Sequence, residues 1–212
     1  MSDKILTVFH TTSQKDAKKI LNEGFELSKG DNQWLGKGVY FYRDLYFAVQ
    51  WGLLGVIKND IQNVDIKQFN EKCNILKADL DCEKYNVLDV NTPDGYQIIL
   101  KLKSKILDIC SSKQISRIEQ YGDKYFFNLL EFLENKKNVR LLSRFDIIFA
   151  EYGNNIYSKQ RKNKSDFAGC QERQICVKNL EAITNLTNVE MNTTNISELF
   201  NLIKKNRSDK ND

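Results

Sequence analysis

A single histidine, His10, stands in the segment Val8-Phe9-His10-Thr11-Thr12, at the end of an apolar run from Ile5 to Phe9. An imidazole and two hydroxyls side by side can hydrogen-bond a polar ligand. Downstream comes the glycine-rich stretch Leu35-Gly36-Lys37-Gly38-Val39-Tyr40-Phe41, followed by Ala48 and Trp51. Glycines let the backbone approach a ligand closely. Tyr40 and Trp51 offer aromatic faces, which attract a cationic ring by stacking and by the cation–π effect. Late in the chain, Gln171-Glu172-Arg173-Gln174 sets a carboxylate and two amides just before the apolar Ile175-Cys176-Val177.

These residues need elements to position them. Residues 4–9 read as a β-branched, aromatic strand with His10 at its exit. Ser13-Gln14-Lys15-Asp16 is a capping box that opens a helix, and Gly24 stops that helix near its C′ position. Val39 to Phe41 reads as a short strand, and Asp44 starts a second helix that carries Ala48 and Trp51. Ile75 to Asp81 alternates as a strand, and Asn86 to Val90 reads as a shorter one. Asn91-Thr92-Pro93-Asp94-Gly95 reads as a turn. From Ile98 to about Lys136 the pattern is helical, with Phe126, Leu129, Leu130 and Leu133 spaced for one buried face. Asp146 to Ala150 is a compact apolar strand, Gln174 to Val177 another, and Ile196 to Lys205 a short amphipathic helix.

Between them, Tyr152 to Gly169 is a long polar segment carrying Tyr157, Lys159, Arg161, Lys162, Lys164 and Phe167. Cations interleaved with aromatics suit a phosphate backbone and unstacked bases. A solvated surface loop is the plainer account of that segment. Tyr40 or Trp51 taken alone would more often be core residues, and a solvated strand start is the competing account of Glu172 and Arg173.

The 212 residues, 41% hydrophobic and 11% aromatic, suffice for a real core. They predict one domain over 1–205 with a frayed tail at 206–212. The net charge of +4 says little about partners by itself. Five cysteines form no C-x-x-C pair and the histidine lies far upstream, so no metal site of ordinary spacing is expected. The absence of a basic-then-apolar leader and of an apolar run near the roughly 20 residues of a membrane span predicts a cytoplasmic protein without a membrane partner.

Taken together, His-x-Thr, then G-x-G-V-Y-F with A-x-x-W, resembles the NAD-binding half of ADP-ribosyltransferases of the diphtheria-toxin and poly(ADP-ribose) polymerase type, the His-Tyr-Glu class. The resemblance is close over the first fifty residues and looser over 145–183. It implies an α+β ADP-ribosyltransferase fold: two packed, mainly antiparallel sheets with an NAD cleft and flanking helices. His10 would hydrogen-bond the adenosine ribose, Thr11 would use its backbone on the nicotinamide amide, and Thr12 would help hold that end. Gly38 and Tyr40 would line the nicotinamide side, with Trp51 closing the other.

Three departures from the family stand out. Thr11 replaces the usual glycine, which narrows the pocket. The Ala48-to-Trp51 spacing is one residue longer than in the eukaryotic polymerases. The family's catalytic glutamate aligns with Gln174, while Glu172 sits two residues earlier, on the same face if the strand extends back that far. Either Glu172 supplies the carboxylate, or Gln174 binds the ribose hydroxyl without a charge.

The expected activity is mono-ADP-ribosylation of a macromolecule, nucleic acid or protein, by a bacterial or phage-related toxin or anti-phage defence effector. NAD would be the substrate with no metal, Tyr157 to Phe167 would recognise the acceptor, and an antitoxin or inhibitor protein would be a natural partner. The alternatives are a non-catalytic NAD or ADP-ribose binding module and an NAD hydrolase.

Overall fold

The computed structural model describes residues 4–28, 33–57, 64–137, 140–152, 172–190 and 194–208. Strands and helices are both present throughout, so the chain is of mixed α and β class. Its residues sort into two compact units, each assembled from separated stretches: Met1–Lys4, Glu26–Tyr40 and Asp81–Ala182 in the first, and Ile5–Phe25, Phe41–Leu80 and Ile183–Asp212 in the second.

The second unit begins with β1 (Ile5–Ser13) and α1 (Gln14–Glu23). The strand was expected to end before His10, but it continues through Ser13, so His10 lies inside it. Thr11 and Thr12 are β-branched and favour the extended backbone, and the strand ends where Ser13 caps α1. The Asp16 N–H donates to Ser13 Oγ at 3.1 Å, and the Ser13 hydroxyl donates to the Asp16 carboxylate at 2.7 Å. Gly24, at φ 83°, closes α1 as expected, since a side chain there would be strained. Then follow the outer half of β2 (Val39–Tyr42), α2 (Leu45–Trp51) and a π-helical turn, Gly52–Ile57. The unit is completed by α3 (Ile66–Lys72), β3 (Cys73–Asp81), β7 (Ile183–Asn188) and α6 (Thr194–Ser208). Strand order is β2-β1-β3-β7, with β1 antiparallel to β2 through Phe9 and Tyr42 and β3 antiparallel to β7. Phe47, Leu53, Phe69, Ile75, Phe200 and Ile203 form its core. Because α6 runs to Ser208, the first three residues of the expected tail are helical.

The first unit contains β4 (Val87–Asp89), β5 (Ile147–Tyr152) and β6 (Glu172–Val177) in that order, with β5 parallel to β4 and antiparallel to β6. Helices α4 (Pro93–Ile109) and α5 (Ser112–Lys137) accompany them. Two expectations change here. Asn91–Gly95 is the start of α4 rather than a free turn: Thr92 is the N-cap and Pro93 follows at N1, where its missing N–H costs nothing. The continuous helical stretch divides at Cys110–Ser111, because Ser111 caps α5 through Gln114. That S-x-x-Q signal stands in the sequence. Phe126, Leu129, Leu130 and Leu133 are all buried, as their spacing predicts, in a core with Ile99, Ile106, Leu142 and Ile148. Among the described residues no helix is long and apolar enough to cross a membrane.

Candidate functional site

In the second unit, His10 is half-buried within an aromatic cluster. Its ring meets Phe25 edge-on at 5.1 Å and Phe41 at 5.7 Å, and those two rings meet each other at 5.3 Å. Phe25 follows Gly24 directly, so the left-handed glycine turns the chain to bring Phe25 onto the imidazole.

Strand alternation sends Thr11 to the opposite face from His10 and Thr12. Thr11 is 4% exposed, and its hydroxyl donates to the Ala48 carbonyl of α2 at 2.6 Å. Its methyl bounds the space around Gly52, where a Cβ would come within 3.0 Å of it and 2.7 Å of Phe69. Thr11 therefore fastens β1 to α2. Trp51, at the end of α2, is 49% exposed and lies over Gly55, which has no room for a side chain beneath the indole.

In the first unit, Gly36-Lys37-Gly38 is a closed loop. The Tyr40 hydroxyl accepts from the Leu35 N–H and donates to the Gly36 carbonyl, both at 2.7 Å. Ser28 accepts from the Gly38 N–H at 3.1 Å. Glu131 of α5 accepts from the Lys37 N–H at 2.7 Å and pairs with the Lys178 ammonium, which also donates to the Lys37 carbonyl at 3.0 Å. Gly36 has a φ of 80° and a carboxylate where its side chain would be, so glycine is required there twice over.

The loop rests on β6. Cys176 is buried, with its thiol 3.8 Å from the Lys37 carbonyl and against Gly38. Burial pushes that thiol up to about 11, against the opposing effects of the Lys178 ammonium and the Tyr40 hydroxyl beside it. It is a packing group and not a nucleophile at neutral pH. Gln174 is half-buried and, two residues from Cys176, shares its strand face. The glycine-rich motif and the strand carrying Gln174 thus meet, although they are far apart in sequence.

β6 reaches back to Glu172, whose backbone pairs opposite Tyr152, while Gln174 pairs opposite Ala150. Arg173 is half-buried rather than solvated. Its guanidinium donates to Asp89 at 3.1 Å, lies 2.9 Å from a Glu151 carboxylate oxygen, and sits over the Phe149 ring. Asp89 also accepts from the Asn91 backbone, and Asn91 accepts from the Glu151 N–H. This network ties the start of β6 to the ends of β4 and β5. Neither it nor the Glu131 clamp was legible in the sequence, because each joins residues that no local period connects.

Glu131, Glu134, Asp146, Lys37 and Lys178 line a pocket of about 430 Å³ in the same unit. Glu134 holds the Ser143 N–H and hydroxyl, and Asp146 accepts from the Asn86 N–H and the Asn179 amide. These carboxylates hold loops in place. Among the described residues no cluster of three or more His, Cys, Asp or Glu side chains could hold a metal ion. Tyr157, Lys159, Arg161, Lys162 and Lys164 lie outside the described residues.

The chain is similar to Uncharacterized protein MJ0359 of Methanocaldococcus jannaschii, with 28% identity over 204 residues that cover 88% of each chain. No protein-family model and no solved structure matches it.

Proposed function

We propose that this chain is an NAD-dependent mono-ADP-ribosyltransferase that modifies a macromolecule. The observation that carries the reading is the meeting of Gly38 and Tyr40 with the β6 face that bears Gln174, since the resemblance requires these two distant motifs to serve one ligand. The exposed indole of Trp51 is consistent with it. The reading carries with it the finer ADP-ribosyltransferase fold, of which the mixed α and β class is the coarser part.

In the proposed reaction, the bond between the nicotinamide nitrogen and ribose C1′ breaks. Its electron pair goes to the ring nitrogen and neutralises that cation. The ribose becomes oxocarbenium-like, and an acceptor oxygen or nitrogen attacks C1′ and gives up a proton. His10 and Thr12 hold the dinucleotide, Tyr40 and Trp51 offer faces to the nicotinamide, and Gln174 orients the nicotinamide ribose. Glu172 supplies the negative charge that favours the cation.

Incubation with NAD labelled on its adenylate half, in the presence of separate protein, RNA and DNA pools, tests this. Nicotinamide release together with label on one pool is the expected result. Release without label would make the protein an NAD hydrolase. Binding without release would make it a non-catalytic NAD module, the reading favoured by an amide at the position of the family's catalytic acid.

A further inference from the structure

The first unit holds a second pocket, of about 320 Å³, lined by Lys101, Ser104 and Lys105 of α4 and by Arg140 and Arg144 beyond α5, over Leu102 and Leu141. Its lining includes four cations and no carboxylate. Asp108 follows one turn along α4 and does not line it. Among the described residues no carboxylate pairs with any of the four cations, in contrast to Lys178 and Arg173.

We propose that this pocket binds the phosphate backbone of a nucleic-acid strand. Lys101 and Lys105 stand one helical turn apart, about 5–6 Å between Cβ atoms, which suits successive phosphates of one strand. Arg140 and Arg144 face them from a segment that is already fixed, because Glu134 accepts from the backbone N–H groups of Leu141 and Ser143 and from the Ser143 hydroxyl. The backbone between Arg140 and Arg144 is therefore held before any ligand arrives, and only the exposed side chains have to be ordered on binding. Arg144 also lies over the Phe145 ring, 4.6 Å from its centre. A guanidinium can also stack on an unpaired base, which a lone phosphate or an acidic peptide would not use. Four cations spread along a pocket match a polyanion better than a single ion.

The pocket would seat the acceptor of the proposed transfer. That role rests on the transferase reading, whereas the binding does not, so the two can fail separately: oligonucleotide binding is measured without NAD, and nicotinamide release without oligonucleotide.

The test is fluorescence anisotropy of short labelled single-stranded RNA and DNA of mixed sequence, across a salt series, with the whole chain. The variant Lys101→Glu, Lys105→Glu, Arg140→Glu, Arg144→Glu should bind at least about tenfold more weakly at low salt. Its log–log salt slope should be shallower by about 3, from 0.7–0.9 per neutralised phosphate over four cations. The variant Lys101→Arg, Lys105→Arg, Arg140→Lys, Arg144→Lys should keep most of the affinity. Unchanged binding by the glutamate variant, with its circular dichroism intact, overturns the proposal. So does wild-type protein that binds neither polymer, or a glutamate variant that loses only inorganic pyrophosphate or only anionic vesicles.

Discussion

Gly38 lies flat against the thiol of Cys176: a Cβ on the glycine would fall well inside van der Waals contact with Sγ and 2.9 Å from the Val177 carbonyl. Gly38→Ala should therefore destabilise the protein by about 1–3 kcal/mol, the usual cost of overpacking. Cys176→Ala in the same chain removes the sulfur but not the carbonyl, so the double variant should recover part of the loss. Urea unfolding of the four species gives the coupling directly. Simple additivity would show that the loop and the strand do not touch.

The buried thiols predict an alkaline limit to stability. Cys176 is raised from an ordinary 9.0 to about 11 by burial, against the Lys178 ammonium, and Cys73 likewise by burial, against Lys72. A group raised in the folded state favours folding fully below its unfolded value and loses that contribution as pH rises toward the folded one. Stability should therefore fall between about pH 9 and 11, and Cys73→Ala, Cys176→Ala should flatten that limb. Urea midpoints measured against pH would decide it, and a limb that persists in the double variant would assign it to other groups.

Arg173 joins Asp89 and Glu151, so Arg173→Met should leave two partly buried carboxylates without their cation and cost about 1–3 kcal/mol. Arg173→Lys keeps the charge but lacks the fork that reaches both partners, and should fall between. Thermal melts rank the three proteins. Equal stability of the Met and wild-type chains would show that the network does not secure the start of β6.

Under the proposed function, His10→Ala should weaken NAD binding by roughly 1–3 kcal/mol, the cost of leaving a ribose hydroxyl unpaired. Glu172→Gln should abolish transfer while sparing NAD affinity, and Gln174→Glu should raise the rate if Gln174 occupies the position of the family's acid. Calorimetry separates binding from turnover. Full activity in Glu172→Gln would remove the carboxylate role.

Replacing Lys159, Arg161, Lys162 and Lys164 by Ser should remove transfer, make the residual activity less sensitive to salt, and leave NAD affinity unchanged. Normal labelling by that variant would reduce the segment to a solvated surface.

The sequence by itself determined the local pieces of this protein. The Ser13 cap, the glycine stop at Gly24, the helix that begins after Asp44 and the buried face of Phe126 to Leu133 follow from short-range preferences and periodicity, and all are present. The grouping of His10, Gly38, Tyr40 and Gln174 came from the resemblance to a family and not from any local rule. Local pattern misjudged boundaries at the end of β1, where the β-branched Thr11 and Thr12 prolong the strand, and at Pro93 and Ser111, where caps start helices. Tertiary structure decided what each side chain does. Thr11 turns to Ala48, Tyr40 uses its hydroxyl to close its own loop, Glu131 clamps Lys37, and Arg173 enters a carboxylate network. Those roles depend on which strand or helix comes to lie beside which. Hydrogen bonds and charge pairs between distant residues are fixed by packing, and packing leaves no period in the sequence.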